Sequence, residues 1–377
     1  MKRTLSSSAI LLLIALQAIL LIIPTAISTT KLVPADISKV KAWVAKNIND
    51  FNDRKANESK GIPRIVLDEL LASAEDRLRL IRVAKEGFAD FTTISDALET
   101  IPKDNKRRTI IQIGGGEYRE KITVKCNKPF ITFYGDPVDT PKIVFNGTAS
   151  QYGTIYSATV AVESDYFMAV NVAFVNSAPM PNVNRTGGQA VAMRISGDKA
   201  AFHNCKFIGF QDTLCDDRGR HFFKDCYVRG TVDFIFGNGK SLYLNTTIDS
   251  VAQGTGVITA QAREHVTEDS GFTFIHCNLT GLGNNTYLGR AWKQRPRVVF
   301  AYTYMGHLIN DEGWSTWKYP ERKGTVYYGE YKCSGPGSNS FGRVPYAKSL
   351  SKAEAKTFLS MTYINGNKWL IPPPRFP

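Results

Sequence analysis

Histidine and acid are both scarce in this chain. It has 5 histidines in 377 residues, and His203, His221, His265, His276 and His307 form no ligand-spaced pair, which argues against a metal centre. The 6 cysteines, Cys126, Cys205, Cys215, Cys226, Cys277 and Cys333, contain no CxxC pair, so a structural zinc site is not expected either. They leave two readings open: one or two disulfides in an exported domain, or small buried hydrophobes. Acidic residues number 34 against 47 basic ones, a formal charge of +13. That excess suits an acidic partner such as nucleic acid, anionic lipid or acidic polysaccharide. No polar low-complexity tract points to disorder, and 43% hydrophobic content supports a large core.

The N-terminus separates those partners. Lys2 and Arg3 precede an apolar run over residues 9–23, broken only by Gln17, and Pro24, Ala26 and Ser28 follow. This is the order of a secretory signal over residues 1–28; the run is short for a membrane span, with an uncleaved anchor as the alternative. Six Asn-x-Ser/Thr sequons, at Asn57, Asn146, Asn184, Asn245, Asn278 and Asn284, add to the expectation of export. Asn245 and Asn278 fall in strand-like runs, where no glycan is expected. The basic residues are scattered and form no nucleic-acid recognition motif, so an exported protein of this charge is expected to meet polysaccharide, with no nucleic acid and no membrane partner.

Residues 29–78 read as a short polar extension with amphipathic helical stretches over 37–48 and 65–77, and residues 79–377 as the main domain. A short helix is expected over 91–101. From Thr109 onward the helical period gives way to short runs rich in Val, Ile, Phe, Tyr and Thr. Six of these runs resemble one another around a central residue: Asn171, Asn204, Asp225, Asn245, His276 and Tyr302. Each has apolar residues before the centre, a small residue after it, then apolar residues again. Irregular steps of about 20 to 30 residues are the signature of stacked coils. The fold class expected is therefore all-β, a parallel β-helix with a short N-terminal helix and a C-terminal helical cover over 352–361. A β-sandwich is the rival, but it calls for hairpin turns that are absent.

The repeat gives two aspartates a shared position. Asp212 follows Asn204 by the same interval as Asp233 follows Asp225, so coils in register place them as neighbours about 4.8 Å apart along the stack. Two close carboxylates have their pKa values driven apart, which leaves one as nucleophile or base and the other as proton donor. Gln189 and Gln211 offer neutral amides for an oxyanion, Arg290 a fixed cationic fork, and Trp292 a flat face for a sugar ring. Each also has a plain structural role open to it: turn aspartates, ladder amides, an ion pair and a packed indole.

At these residues the chain resembles a known family. Gly116-Glu-Tyr118-Arg-Glu120, Gly188-Gln189-Ala-Val-Ala192, Gly209-Phe-Gln211-Asp212-Thr-Leu214, Val232-Asp233-Phe-Ile-Phe236-Gly237 and Leu288-Gly-Arg290-Ala-Trp292 are similar, in order and spacing, to the motifs of pectin methylesterases, the plant enzymes above all. The ending Ile364-Asn-Gly-Asn-Lys-Trp369-Leu is similar as well. The resemblance covers residues 80 to 372 and fits the short form without a large N-terminal inhibitor-like domain. It implies a right-handed β-helix whose cleft binds pectin (partly methylated homogalacturonan), with Trp292, Gln189, Arg290 and Phe236 against the substrate. It implies Asp233 as nucleophile, Asp212 as acid and then base, Gln189 and Gln211 around the oxyanion, and Arg290 bonded to Asp233. No metal or cofactor is implied. A secreted, monomeric cell-wall enzyme, open to a proteinaceous inhibitor, follows from the same likeness. Two positions depart from the family pattern: Ala291 stands where proline is usual, which predicts a looser turn, and Cys215 where tyrosine is common, which predicts altered sugar contact or a reactive thiol. A β-helix glycosidase or lyase and a non-catalytic wall-binding protein are the competing functions.

Overall fold

A computed structural model of the chain describes residues 32–48, 67–181 and 186–374. The signal segment expected over 1–28 and the sequons Asn57 and Asn184 lie outside the described residues. All strand pairings among named strands are parallel, and they form one sheet of eleven strands and two of eight. From Glu117 to Tyr331 consecutive strands fall in different sheets, so each circuit there adds one strand to all three, and the larger sheet is extended by Arg79–Val83 and Thr109–Ile113 at one end and by Ala347–Ser349 at the other. This is a parallel β-helix, and the rule for parallel crossovers makes it right-handed.

The repeat seen in the sequence is the corner of that helix. Asn171, Asn204, Asp225, Asn245, His276 and Tyr302 all have φ between 50 and 55° or just above, at 56° for Asp225. Each is a single left-handed residue turning the chain from the eleven-stranded sheet into the next one. Asn and Asp tolerate that conformation best. The side chains also ladder: Asn204 Nδ2 donates to Asn171 Oδ1 at 2.9 Å, and Asn245 Nδ2 to Asp225 Oδ1 at 2.7 Å. The residue after each corner points inward and is small. Cys205, Cys226 and Cys277 occupy this place as free, buried thiols that pack the interior, whereas Cys126 is exposed and Cys333 half-buried. Asn278 instead stands exposed on the second sheet while Leu279 points inward, so its strand position does not hide it.

The interior is an aromatic stack. Phe202, Phe223, Tyr243, Phe274 and Phe300 occupy register-matched positions on successive strands, with ring centroids 4.4 to 4.8 Å apart. The opposite face of the same strands is apolar too, through Met168, Ala201, Phe222, Leu242, Leu244, Ile275 and Val299. Strands buried on both faces read as nearly continuous apolar runs, as these do.

Two terminal segments cover that outer face. Val40, Trp43, Val44, Ile48, Leu67 and Leu71 lie on it beside Phe358, Met361, Ile364 and Trp369. Val33 N–H donates to the Leu359 carbonyl at 2.8 Å and Asp68 N–H to that of Lys368 at 3.0 Å, which ties the two segments together. The expected helix over 352–361 shrinks to Lys352–Ala355, opened by a Ser351/Glu354 capping box. Phe358, Leu359 and Met361 are all buried, a pattern one helical face cannot supply, and Ser360 caps a new turn at Met361–Ile364. The C-terminal cover thus lies across a sheet face and not over the coil edge. Helix Ile94–Glu99, inside the expected 91–101, buries Ile94, Ala97 and Leu98 against the first strands and plugs the N-terminal end of the interior.

Candidate active site

The third sheet carries the site. Strand Leu214–Asp216 pairs with Ile235–Gly237, Leu214 opposite Ile235. Followed two residues back, that register sets Asp212 opposite Asp233, one coil and about 4.8 Å along the stack. Both are left-handed, φ 62° and 50°. Asp212 N–H donates to the Val232 carbonyl at 3.1 Å, and the Thr213 hydroxyl donates to the Arg229 carbonyl at 2.9 Å, so backbone and side chain fix the first turn to the second. Gly230 is needed on the way in. A Cβ there would stand 2.1 Å from Phe234 Cβ, leaving no room for any side chain before Asp233.

The two carboxyls then meet different surroundings. Asp233 is 5% exposed and receives a two-point ion pair from Arg290, Nε to Oδ1 at 2.7 Å and Nη2 to Oδ2. Asp212 is 9% exposed and has no ion pair among the described residues. Burial pushes its pKa well above the ordinary carboxyl value, and the charge of Asp233 pushes it further, with Arg290 offsetting part of the rise. One member of the pair is an ion-paired carboxylate and the other a carboxylic acid over an extended pH range. These are the properties of a nucleophile and a proton donor.

Arg290 also lies over two indole rings. Its guanidinium carbon lies 5.0 Å from the Trp292 ring centroid and 4.9 Å from that of Trp317. Two such cation–π contacts restrain the fork. Trp317 is absent from the residues singled out in the sequence, although a signal exists. Arg290 pairs with Ser315 on the next coil, so Trp317 repeats the position of Trp292 two residues beyond Arg290. Arg322 completes the support by donating to the Ala291 and Trp292 carbonyls at 2.7 and 2.8 Å.

The other expected residues sort as follows. The Ala190 N–H donates to the Gln211 carbonyl at 3.1 Å, which puts the Gln189 and Gln211 segments on adjacent coils beside Asp212. Both glutamines are half-buried, and neither side-chain amide has a hydrogen-bond partner among the described residues. Phe236 lies on the outward face of the third sheet against Cys215, Ala158, Ala161 and Val191. Cys215 is 1% exposed, and burial drives its thiol pKa well up, so it is not the reactive thiol its position suggested. Ala291 does not loosen its turn: its N–H donates to the Ser315 carbonyl at 2.8 Å, a bond that proline would lack. His203 and His276 occupy coil positions as expected, and no cluster of metal-ligating side chains occurs among the described residues.

Comparison with known proteins agrees with this geometry. A Pectinesterase family profile matches residues 80–367. "Probable pectinesterase 50" of Arabidopsis thaliana is 46% identical over 94% of this chain and 95% of its own length, and "Pectinesterase 2" of Olea europaea is 47% identical over 95% and 96%. Among solved structures, "Pectin methylesterase from Carrot" superposes with a TM-score of 0.72 at 33% identity, covering 77% of this chain and 94% of that one.

Proposed function

The chain belongs to the pectinesterase family, and from that premise we propose that it hydrolyses methyl esters of homogalacturonan with Asp233 as nucleophile and Asp212 as acid and then base. The observation that carries the proposal is the unequal pair: register-matched carboxyls on adjacent coils, one ion-paired to Arg290 and one buried without a cation of its own, where burial and the charge of Asp233 raise its pKa.

An oxygen of Asp233 attacks the ester carbonyl, and the carbonyl π bond opens to an oxyanion. The free amides of Gln189 and Gln211 are the neutral donors available to it. As the oxyanion collapses, the C–O bond to the methoxy group breaks and Asp212 delivers its proton, so methanol leaves neutral. The uronyl group is now joined to Asp233 as a mixed anhydride. Asp212, now a carboxylate, takes a proton from water, the water oxygen attacks the uronyl carbon, and Asp233 departs as carboxylate. Product acid is formed and Asp212 is protonated again. Arg290 holds Asp233 in orientation at both carboxylate stages, and Trp292 and Phe236 flank the polymer. No step calls for a metal or cofactor. The basic charge and the leader-like N-terminus support a secreted enzyme retained on acidic cell-wall polymer.

Purified protein given methylated pectin is expected to release methanol without shortening the polymer. Chain shortening without methanol would establish a glycosidase or lyase in its place, and salt-sensitive binding without either product a wall-binding protein.

A further inference from the structure

Arg322 is a cation taken mostly out of water without a close anion to match it. Its side chain is 11% exposed, and Glu321, its one ion-pair partner among the described residues, stands 3.9 Å away and is 60% exposed. The Arg322 Nε is buried and has no hydrogen-bond partner, while the guanidinium carbon lies 3.6 Å from the Tyr319 ring centroid. A desolvated charge is costly unless polar groups meet it. Here one nitrogen, Nη1, meets two of them: it donates to the carbonyls of Ala291 and Trp292 at 2.7 and 2.8 Å.

Those carbonyls belong to the turn that carries Arg290. Trp292 N–H donates back to the Arg290 carbonyl at 2.9 Å, and Ala291 N–H donates to that of Ser315 at 2.8 Å. A proline at 291 would fix φ through its ring, and alanine does not. Arg322 restrains the same turn from its carbonyl side. Its own seat is firm. It lies in the turn Pro320–Gly324, and its carbonyl accepts from Thr325 and Val326 N–H groups at 2.9 and 3.1 Å. The Thr325 hydroxyl donates to the Gln294 carbonyl, which ties this segment to the loop beyond Trp292. We propose that Arg322 is a positioning residue for the reaction: it locks the 290–292 turn, and through it the Arg290 fork on Asp233, in place of the proline usual at position 291. The inference rests on the esterase reading, in which Asp233 attacks from a fixed orientation.

Arg322→Met keeps the length and removes both bonds. It is expected to lose about 10²-fold in kcat on methylated pectin, the scale of a small misplacement at a reacting group. Arg322→Lys should recover most of that loss, because both bonds leave from one nitrogen and an ammonium can make them. A lysine variant as slow as the methionine one overturns the assignment, as does an unchanged kcat in Arg322→Met. Coupling separates positioning from a general loss of stability. If Arg322 acts through Arg290, its removal costs about two-fold or less in an Arg290→Lys background. An equal loss in both backgrounds overturns the proposal. A second readout needs no turnover. Trp292 and Trp317 are 50% and 51% exposed, whereas Trp43, Trp314 and Trp369 are buried, so acrylamide quenching of indole fluorescence reads the two rings beside Arg290. Stronger quenching in Arg322→Met than in wild type and Arg322→Lys supports the lock even if no methanol is ever released, an outcome that would defeat the esterase reading alone. Equal quenching in all three, with methanol release intact, defeats the lock alone.

Discussion

In the proposed mechanism Asp212 has to meet two opposed demands. Its task needs a proton at the pH where Asp233 is a carboxylate, and the site secures this by burying Asp212 beside a like charge without a cation of its own. The cost falls on stability, and its sign is fixed. Because the folded-state pKa lies above the unfolded one, the folded form holds a proton that the unfolded chain has released. Stability contributed by this group is therefore lost as pH rises from the ordinary carboxyl value toward the raised one. Asp212→Asn is expected to melt at higher temperature than wild type above the ordinary carboxyl range, with a gap that widens as pH rises. The same variant should lose about 10²- to 10⁴-fold in turnover. Thermal melts of both proteins across the acid range check the first statement. Parallel melting curves with no widening gap would contradict it. Much of this residue-level account was legible beforehand, since equal intervals from Asn204 and Asp225 already aligned the two aspartates. Trp317 was not, because its role depends on the pairing of Arg290 with Ser315. The inertness of Cys215 depends on packing by Ala158 and Val191 from other coils.

At the scale of elements, the strand behind Asp212 is anchored by a buried network that the sequence did not announce. Asp216 ends the strand Leu214–Asp216 and is fully buried. Its carboxylate meets His221 Nδ1 at 2.5 Å and accepts from the Tyr243 hydroxyl at 2.7 Å, while His221 Nε2 donates to the Gly197 carbonyl at 2.9 Å. Burial opposes a charge on His221, but the charge and hydrogen bond of Asp216 outweigh it, so its pKa is raised. The pair's contribution is thus fully present below the ordinary histidine value and is lost as pH rises through the raised one. Removing one partner of a buried pair costs about 3–5 kcal/mol. His221→Gln should show a lower melting temperature by that measure and, unlike wild type, no decline of its own as pH rises above the ordinary histidine value of about 6.5. A wild-type decline that persists unchanged in the variant would remove His221 from the account. Histidines were read in the sequence for metal spacing, and this one proves to be matched with an aspartate five residues away.

For the whole molecule, the β-helix was visible because each corner needs a left-handed residue followed by a small inward one, which repeats in any register. The cover over the outer face was not. Its residues, such as Trp43, Leu71, Phe358 and Trp369, are far apart in sequence, and their common partner is a sheet face that exists only once the coils have stacked. The extension is joined to the body by more than apolar contact: Arg108 pairs with Glu75 at 2.7 Å, Lys199 with Asp68 at 2.6 Å, and the His276 ring donates to the Pro34 carbonyl at 2.7 Å. A chain lacking residues 32–78 is expected to expose Phe222, Leu242 and Ile275 and to aggregate or bind a hydrophobic dye strongly. Each large apolar side chain withdrawn from the cover forfeits about 1.5–3 kcal/mol. A truncated protein that stays monomeric, binds no dye and melts as wild type does would show that the extension is dispensable to the fold.

The division of labour between Asp233 and Asp212 is tested most directly by changing the leaving group. Alcohol release in the first turnover should be measured for the methyl ester of a galacturonate oligomer and for its nitrophenyl ester, whose alcohol leaves without protonation. Asp212→Asn is predicted to lose the methanol burst yet keep most of the nitrophenol burst, while Asp233→Asn loses both. A nitrophenol burst that survives in Asp233→Asn, or fails equally in Asp212→Asn, would contradict the roles assigned to the pair.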